Sequence, residues 1–132
     1  MRHLLLIPAI LCLLLTTASA ADHTDDTPEV VKKNLKADKA VLVDVREVEE
    51  WDEGHLEAAT LWQLSDINDG PTMEDLKKRF GDKNIVYLHC RSGGRALFAA
   101  EKLKDKGYDI RPLKPGYADL LKAGFKKADD EK

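Results

Sequence analysis

Ile85-Val86-Tyr87-Leu88-His89-Cys90-Arg91-Ser92-Gly93-Gly94-Arg95 joins an apolar run to a short glycine-rich turn, with a cysteine at the junction. An unbroken apolar run that ends in a turn reads as a strand covered on both faces, which puts it inside a parallel sheet. Cys90 then falls beyond the carboxyl end of that strand, where open α/β sheets keep their sites. Backbone N–H groups of the loop can turn toward the sulfur, and the helix predicted to start near Gly94 adds the positive end of its dipole. Arg91 and Arg95 contribute full charges of the same sign. All of these favour the thiolate, and the thiolate is the nucleophilic form of cysteine.

Working outward, Ala40-Val41-Leu42-Val43-Asp44-Val45 is a second strand of the same buried kind. Before it, Thr27-Pro28-Glu29 reads as an N-cap with proline in the first turn, opening a helix through about Leu35. The polar residues 21–27 are expected to be loosely ordered. Glu47 to Asp52 forms a short helical turn ended by Gly54-His55, Ala59 to Leu64 a strand, and Asn68-Asp69-Gly70-Pro71 a loop. Thr72 caps a helix that runs to Phe80, with acidic residues at its start and Lys77, Lys78 and Arg79 at its end, as the helix dipole favours. Beyond the cysteine loop, Ala96, Ala99, Ala100 and Leu103 recur at helical spacing within a helix predicted from Arg95 to Lys106. A short strand (109–113), a Pro115-Gly116 turn, a last helix (117–123) and a charged, frayed tail complete the chain. Strands alternating with helices predict an α/β fold in three layers, with a central, mostly parallel sheet flanked by helices.

The amino terminus has a different logic. Met1-Arg2-His3 precedes an apolar run from Leu4 to Leu15, and small residues at Ala18 and Ala20 suit cleavage after Ala20. The run is too short for a membrane-spanning helix, so residues 1–20 read as a secretory signal peptide and residues 21–132 as one domain with its core at about 27–125. The expected location is the periplasm or the exterior of the cell, with no membrane attachment after cleavage. Removing 20 of 132 residues leaves 112, enough for one core but not two domains. Arg2 is the one charged residue lost, which moves the net charge from −3 to −4. The charges are interspersed without a basic stripe, so nucleic acid is excluded as a partner.

Cys12 leaves with the leader, and Cys90 then has no partner for an internal disulfide. A free thiol in an oxidising compartment is a liability unless it is buried and inert or kept for its chemistry, and a loop with two glycines and two arginines favours the second. One cysteine with His23, His55 and His89 lacks the paired spacing of a metal site, so no metal is expected. Trp51 and Trp62 read as core or site-wall residues. His89 alternates with Cys90 and would point to the opposite face of the sheet, which makes it a poor base for the thiol.

Several segments in order, Val43-Asp44-Val45-Arg46-Glu47, Glu50-Trp51, Gly54-His55-Leu56 and Cys90-Arg91-Ser92-Gly93-Gly94-Arg95-Ala96, resemble the rhodanese, or sulfurtransferase, family across roughly residues 27–125. The resemblance implies that Cys90 is catalytic and carries a sulfane sulfur as a persulfide, with no cofactor. Arg91, Ser92, Gly93, Gly94 and Arg95 would bind the substrate, while Asp44, Arg46 and His55 would be structural residues near the site. The partners implied are a small sulfur-donor anion such as thiosulfate and a thiol or cyanide acceptor, with a protein acceptor able to reach an open, shallow pocket. Four residues separate Cys90 from Arg95. The related phosphatase branch has a loop one residue longer, so this spacing matches sulfur rather than phosphate. A non-catalytic protein-binding module and a redox thiol sensor remain alternative readings. The chain departs from the family at Glu57-Ala58-Ala59, where proline-glycine-alanine is usual, and at Tyr117 to Leu121, where a tryptophan is common. These departures bear on the pocket wall more than on the reaction.

Overall fold

The computed structural model describes residues 21–129. The expected signal peptide lies outside these residues. Strands β1 (Ala40–Asp44), β2 (Ala59–Leu61), β3 (Ile85–His89) and β4 (Asp109–Pro112) form a parallel sheet in the order β2-β1-β3-β4. The helices are α1 (Pro28–Lys36), α2 (Val48–Glu53), α3 (Leu64–Ile67), α4 (Met73–Phe80), α5 (Gly94–Leu103) and α6 (Tyr117–Lys122).

Strand alternation divides the apolar side chains into two cores. On one face, Val43, Val86 and Leu88 pack with Ile67 of α3, Leu76 and Phe80 of α4, and Ala96, Ala99, Ala100 and Leu103 of α5. On the other, Leu42 and Tyr87 pack with Val31 of α1, Leu120 of α6, Leu56 and Phe125. The continuous apolar runs of β1 and β3 thus have cover on both sides, as parallel sheets require. Local chemistry sets the helix starts. Thr27 accepts from the N–H of Val30 with Pro28 at the first position of α1, and Thr72 with Asp75 makes a reciprocal capping box on α4.

Four sequence expectations need correction. The strand predicted over 59–64 stops at Leu61, because Leu64 and Ile67, one turn apart, bury themselves through α3. Helix α5 ends at Leu103, not Lys106, since Lys104 is already extended (ψ 160) and Asp105 left-handed (φ 60). The arm 21–27 is not loose. Thr24 N–H donates to Pro112 O (2.8 Å), His23 Nε2 lies 2.9 Å from Gly93 O, and Asp26 Oδ2 accepts from Tyr87 Oη (2.6 Å) and Arg111 Nη1 (2.8 Å). The described part of the tail is likewise tied down as far as Ala128. Phe125 is buried, Lys126 O accepts from Glu57 N–H (2.9 Å), and Ala128 N–H donates to His55 O (2.8 Å). In both segments a partner on a remote element satisfies polar groups that local sequence leaves open.

Candidate active site

The register Asp44↔His89 aligns the carboxyl ends of β1 and β3, so the segments that follow them meet at one edge of the sheet. Cys90 follows β3 directly and is 1% exposed, deeper than the shallow, open pocket expected. Its sulfur accepts the N–H of Gly93 at 3.0 Å. That bond needs the left-handed backbone of Gly93 (φ 90), where a Cβ would stand 2.8 Å from Lys114 O. Gly93 also caps α5 without a side chain, and the first turn of α5 carries no acidic residue. The N–H groups of Gly94 and Arg95 therefore have no intrahelical acceptor and lie at a helix start that favours an anion.

Gly116 holds the loop from the other side. A Cβ there would fall 1.8 Å from Arg91 O and 2.3 Å from Arg91 C, so the backbone of the cysteine loop rests on this residue. The next N–H, of Tyr117, donates to Cys90 O at 2.9 Å. The Lys114 to Tyr117 turn, which leads into the segment where the chain departs from the family pattern, is thus part of the cradle.

The two loop arginines occupy different settings. Arg91 is exposed, as is Ser92. Arg91 lines a groove of about 410 Å³ with Arg46, Glu50, Tyr117, Leu121 and Lys127. Arg95 instead gives both terminal nitrogens to Glu50, Nη1 to Oε1 and Nη2 to Oε2 at 2.5 and 2.9 Å. This pairing, helped by the N–H of Glu47, draws the Glu50 carboxyl down to about 2 against the cost of partial burial, and it raises Arg95 further above its ordinary range. Arg95 therefore brings charge to the loop while its hydrogen-bonding edge is held by Glu50.

Behind the loop, Asp44 and Arg46 are both buried and joined. Arg46 Nε lies 3.0 Å from each carboxylate oxygen, and Nη2 donates to Asp44 Oδ2 and to Gly54 O, each at 2.8 Å. Its guanidinium stacks over Tyr117 at 4.3 Å. The pair fastens the end of β1 to the turn after α2. His55 lies in that turn, donating Nδ1–H to Trp51 O (3.0 Å) and stacking on the Trp51 ring at 3.6 Å. His89 is fully buried, and among the described residues neither ring nitrogen has a hydrogen-bond partner. Nε2 stands 3.7 Å from Asp44 Oδ2. Burial is the main cause holding His89 below its ordinary 6.5, and it keeps the ring neutral. The ring lies on the Asp44 side of the sheet while Cys90 packs with the opposite core.

Sequence reasoning named the loop but gave no site role to Glu50, Gly116 or His23. Glu50 had a signal in its place within the Glu50-Trp51 segment. Gly116, after Pro115, read only as a turn residue.

Residues 27–123 match the family model of the rhodanese-like domain. The chain is 36% identical over 92 residues to MoeZ of Mycobacterium tuberculosis, named as a probable adenylyltransferase/sulfurtransferase, covering 69% of this chain and 22% of that protein. The chain thus spans about a fifth of that relative's length. Against the Bacillus subtilis protein YtwF it is 37% identical over 79 residues, 59% of this chain and 71% of YtwF. Among solved structures, protein hp1203 of Helicobacter pylori superimposes with a TM-score of 0.56 at 38% identity, covering 70% of this chain and 81% of that one.

Proposed function

The chain belongs to the rhodanese-like family, and from that premise we propose that it moves a sulfane sulfur from a donor such as thiosulfate to a cyanide or thiol acceptor through a persulfide on Cys90. The observation that carries the proposal is the Gly93 N–H aimed at the Cys90 sulfur at 3.0 Å, at the uncapped start of α5. An amide donor fixed on a sulfur stabilises the negative charge that the sulfur holds as the attacking thiolate. The Cys90 thiolate attacks the outer sulfur of thiosulfate. A sulfur–sulfur bond forms as the one within thiosulfate breaks, and sulfite leaves with the electron pair. The terminal sulfur of the persulfide then carries the charge, a role in the proposal for the N–H groups of Gly94 and Arg95, which have no intrahelical acceptor at the start of α5. Cyanide attacks that sulfur, thiocyanate departs, and the thiolate returns. Two half-reactions through a covalent intermediate give ping-pong kinetics.

The proposal includes export. Ala21, which cleavage after Ala20 would expose, has its backbone nitrogen on Glu101 Oε1. A new α-ammonium would therefore face a carboxylate.

The test mixes the purified protein with thiosulfate and cyanide and follows thiocyanate, with Cys90→Ser as control. Turnover by the wild type alone, and a gain of one sulfur atom by intact mass after donor exposure, are the expected results. Failure to form both thiocyanate and the sulfur adduct would overturn the proposal in favour of a binding module. Gain of oxygen alone would favour a redox sensor.

A further inference from the structure

We propose that His23 is a positioning residue for the cysteine loop, an inference that rests on the sulfur-transfer reading of Cys90. His23 precedes the family-matched segment, which begins at residue 27, so it belongs to an arm outside the shared domain. Its Nε2 lies 2.9 Å from Gly93 O. A carbonyl only accepts, so Nε2 carries a proton and donates, in the neutral tautomer and in the imidazolium alike. Gly93 is the residue whose N–H meets the Cys90 sulfur at 3.0 Å, and glycine is the residue whose backbone turns most freely. Its carbonyl begins α5 with a long bond from Leu97 N–H (3.4 Å), a weak restraint. The imidazole supplies the missing one.

The restraint acts on both sides of Gly93. Fixing the carbonyl fixes the peptide plane shared with Gly94 and polarises the Gly94 N–H at the helix start. Fixing the residue as a whole keeps its own N–H on the sulfur. The imidazole also stands 3.0 Å from where a Gly93 Cβ would be, so it closes off the space into which the loop could relax. The arm can bear this load because it is anchored on either side of the site contact. Ala21 N–H donates to Glu101, Thr24 N–H to Pro112 O at 2.8 Å, and Asp26 accepts from Tyr87 and Arg111. His23 itself touches neither substrate nor reacting atoms and acts through Gly93.

The experiment compares wild type, His23→Ala and His23→Gln in the full chain by amide hydrogen exchange and by steady-state sulfur transfer. The glutamine amide reaches the position of Nε2 and restores the donor. Losing one hydrogen bond is expected to speed exchange in residues 91–95 of His23→Ala by about fivefold to tenfold while the central strands stay protected. kcat is expected to fall by a similar factor with KM for thiosulfate within about twofold, the pattern of a contact that serves the transition state. His23→Gln is expected to recover most of both. Unchanged loop exchange in His23→Ala, or faster exchange with unchanged kcat, would overturn the proposal. If His23→Ala fails to fold, His23→Gln is compared with His23→Asn, whose shorter amide misses Gly93 O, and equal kcat in the two overturns it. A wild type without sulfur transfer would instead sink the reading of Cys90, and loop exchange would still report whether His23 restrains Gly93.

Discussion

Glu50 and Arg95 make the most exacting test of how the loop is held. The Glu50 carboxyl lies at about 2 against an ordinary 4.5, chiefly through its hydrogen bonds from Arg95. At about 1.4 kcal/mol per tenfold, that displacement sets a ceiling of roughly 3 kcal/mol on what ionised Glu50 adds to stability. The two side chains keep 31% and 27% of their surface in solvent, and part of the effect comes from Glu47 and Arg46, so the pair itself is expected to contribute about 1–2 kcal/mol. The sign follows from linkage. Between about 2 and 4.5 the unfolded chain holds a proton on Glu50 that the folded chain lacks, so the stabilisation is complete above 4.5 and is lost as pH falls toward 2. Urea unfolding at neutral pH of wild type, Glu50→Gln, Arg95→Met and the double variant gives the coupling energy directly. A second series between pH 5 and 2 is expected to show a steeper acid loss in wild type than in Glu50→Gln. A coupling below about 0.5 kcal/mol, the level of an ordinary exposed pair, or the same acid limb in both proteins, would refute the claim that this pair anchors the loop.

Other consequences are as direct. Gly116→Ala would drive a Cβ into Arg91 O, so it is expected to cost about 1–3 kcal/mol by thermal unfolding and to abolish most thiocyanate formation. Gly94→Ala meets open space, and unchanged or slightly raised stability is expected for it; equal penalties at the two glycines would contradict the cradle described. His89→Leu removes two buried nitrogens that have no hydrogen-bond partner among the described residues, with an expected gain of about 1–2 kcal/mol in urea unfolding at pH 5. Because the folded protein holds His89 below 6.5, wild-type stability is expected to fall as pH drops below 6.5, by up to about 1.4 kcal/mol per pH unit, and a slope that persists in His89→Leu would assign the effect elsewhere. Asp44→Asn leaves the buried Arg46 without its counter-charge, for an expected loss of about 3–5 kcal/mol, and a cost under 1 kcal/mol would show that the pair is not a lock.

What the sequence made legible and what it hid divide along a physical line. The nucleophile loop could be read because its parts are contiguous. An apolar run makes β3, Gly93 allows the reversed backbone, and the helix pattern after it makes α5, all within residues 85–103. Each of these is a local preference that survives folding unchanged. The residues that hold the loop in place obey no local rule. Glu50 meets Arg95 across 45 positions and His23 meets Gly93 across 70. Their encounter follows from the parallel register, which brings the segments after β1 and β3 to one edge, and from an arm that runs back from that edge beside β4. Sequence also misleads at residues 21–27, whose polar composition predicts loose order. Asp26 looks solvated in isolation, yet Tyr87 and Arg111 lie on adjacent strands and present two donors to the same carboxylate oxygen. The thiol is therefore written locally, while the rigidity that would make it a useful nucleophile comes from pairings that exist only after the sheet has formed. Variants in the second group are accordingly expected to lower the rate while Cys90 and its immediate neighbours remain intact.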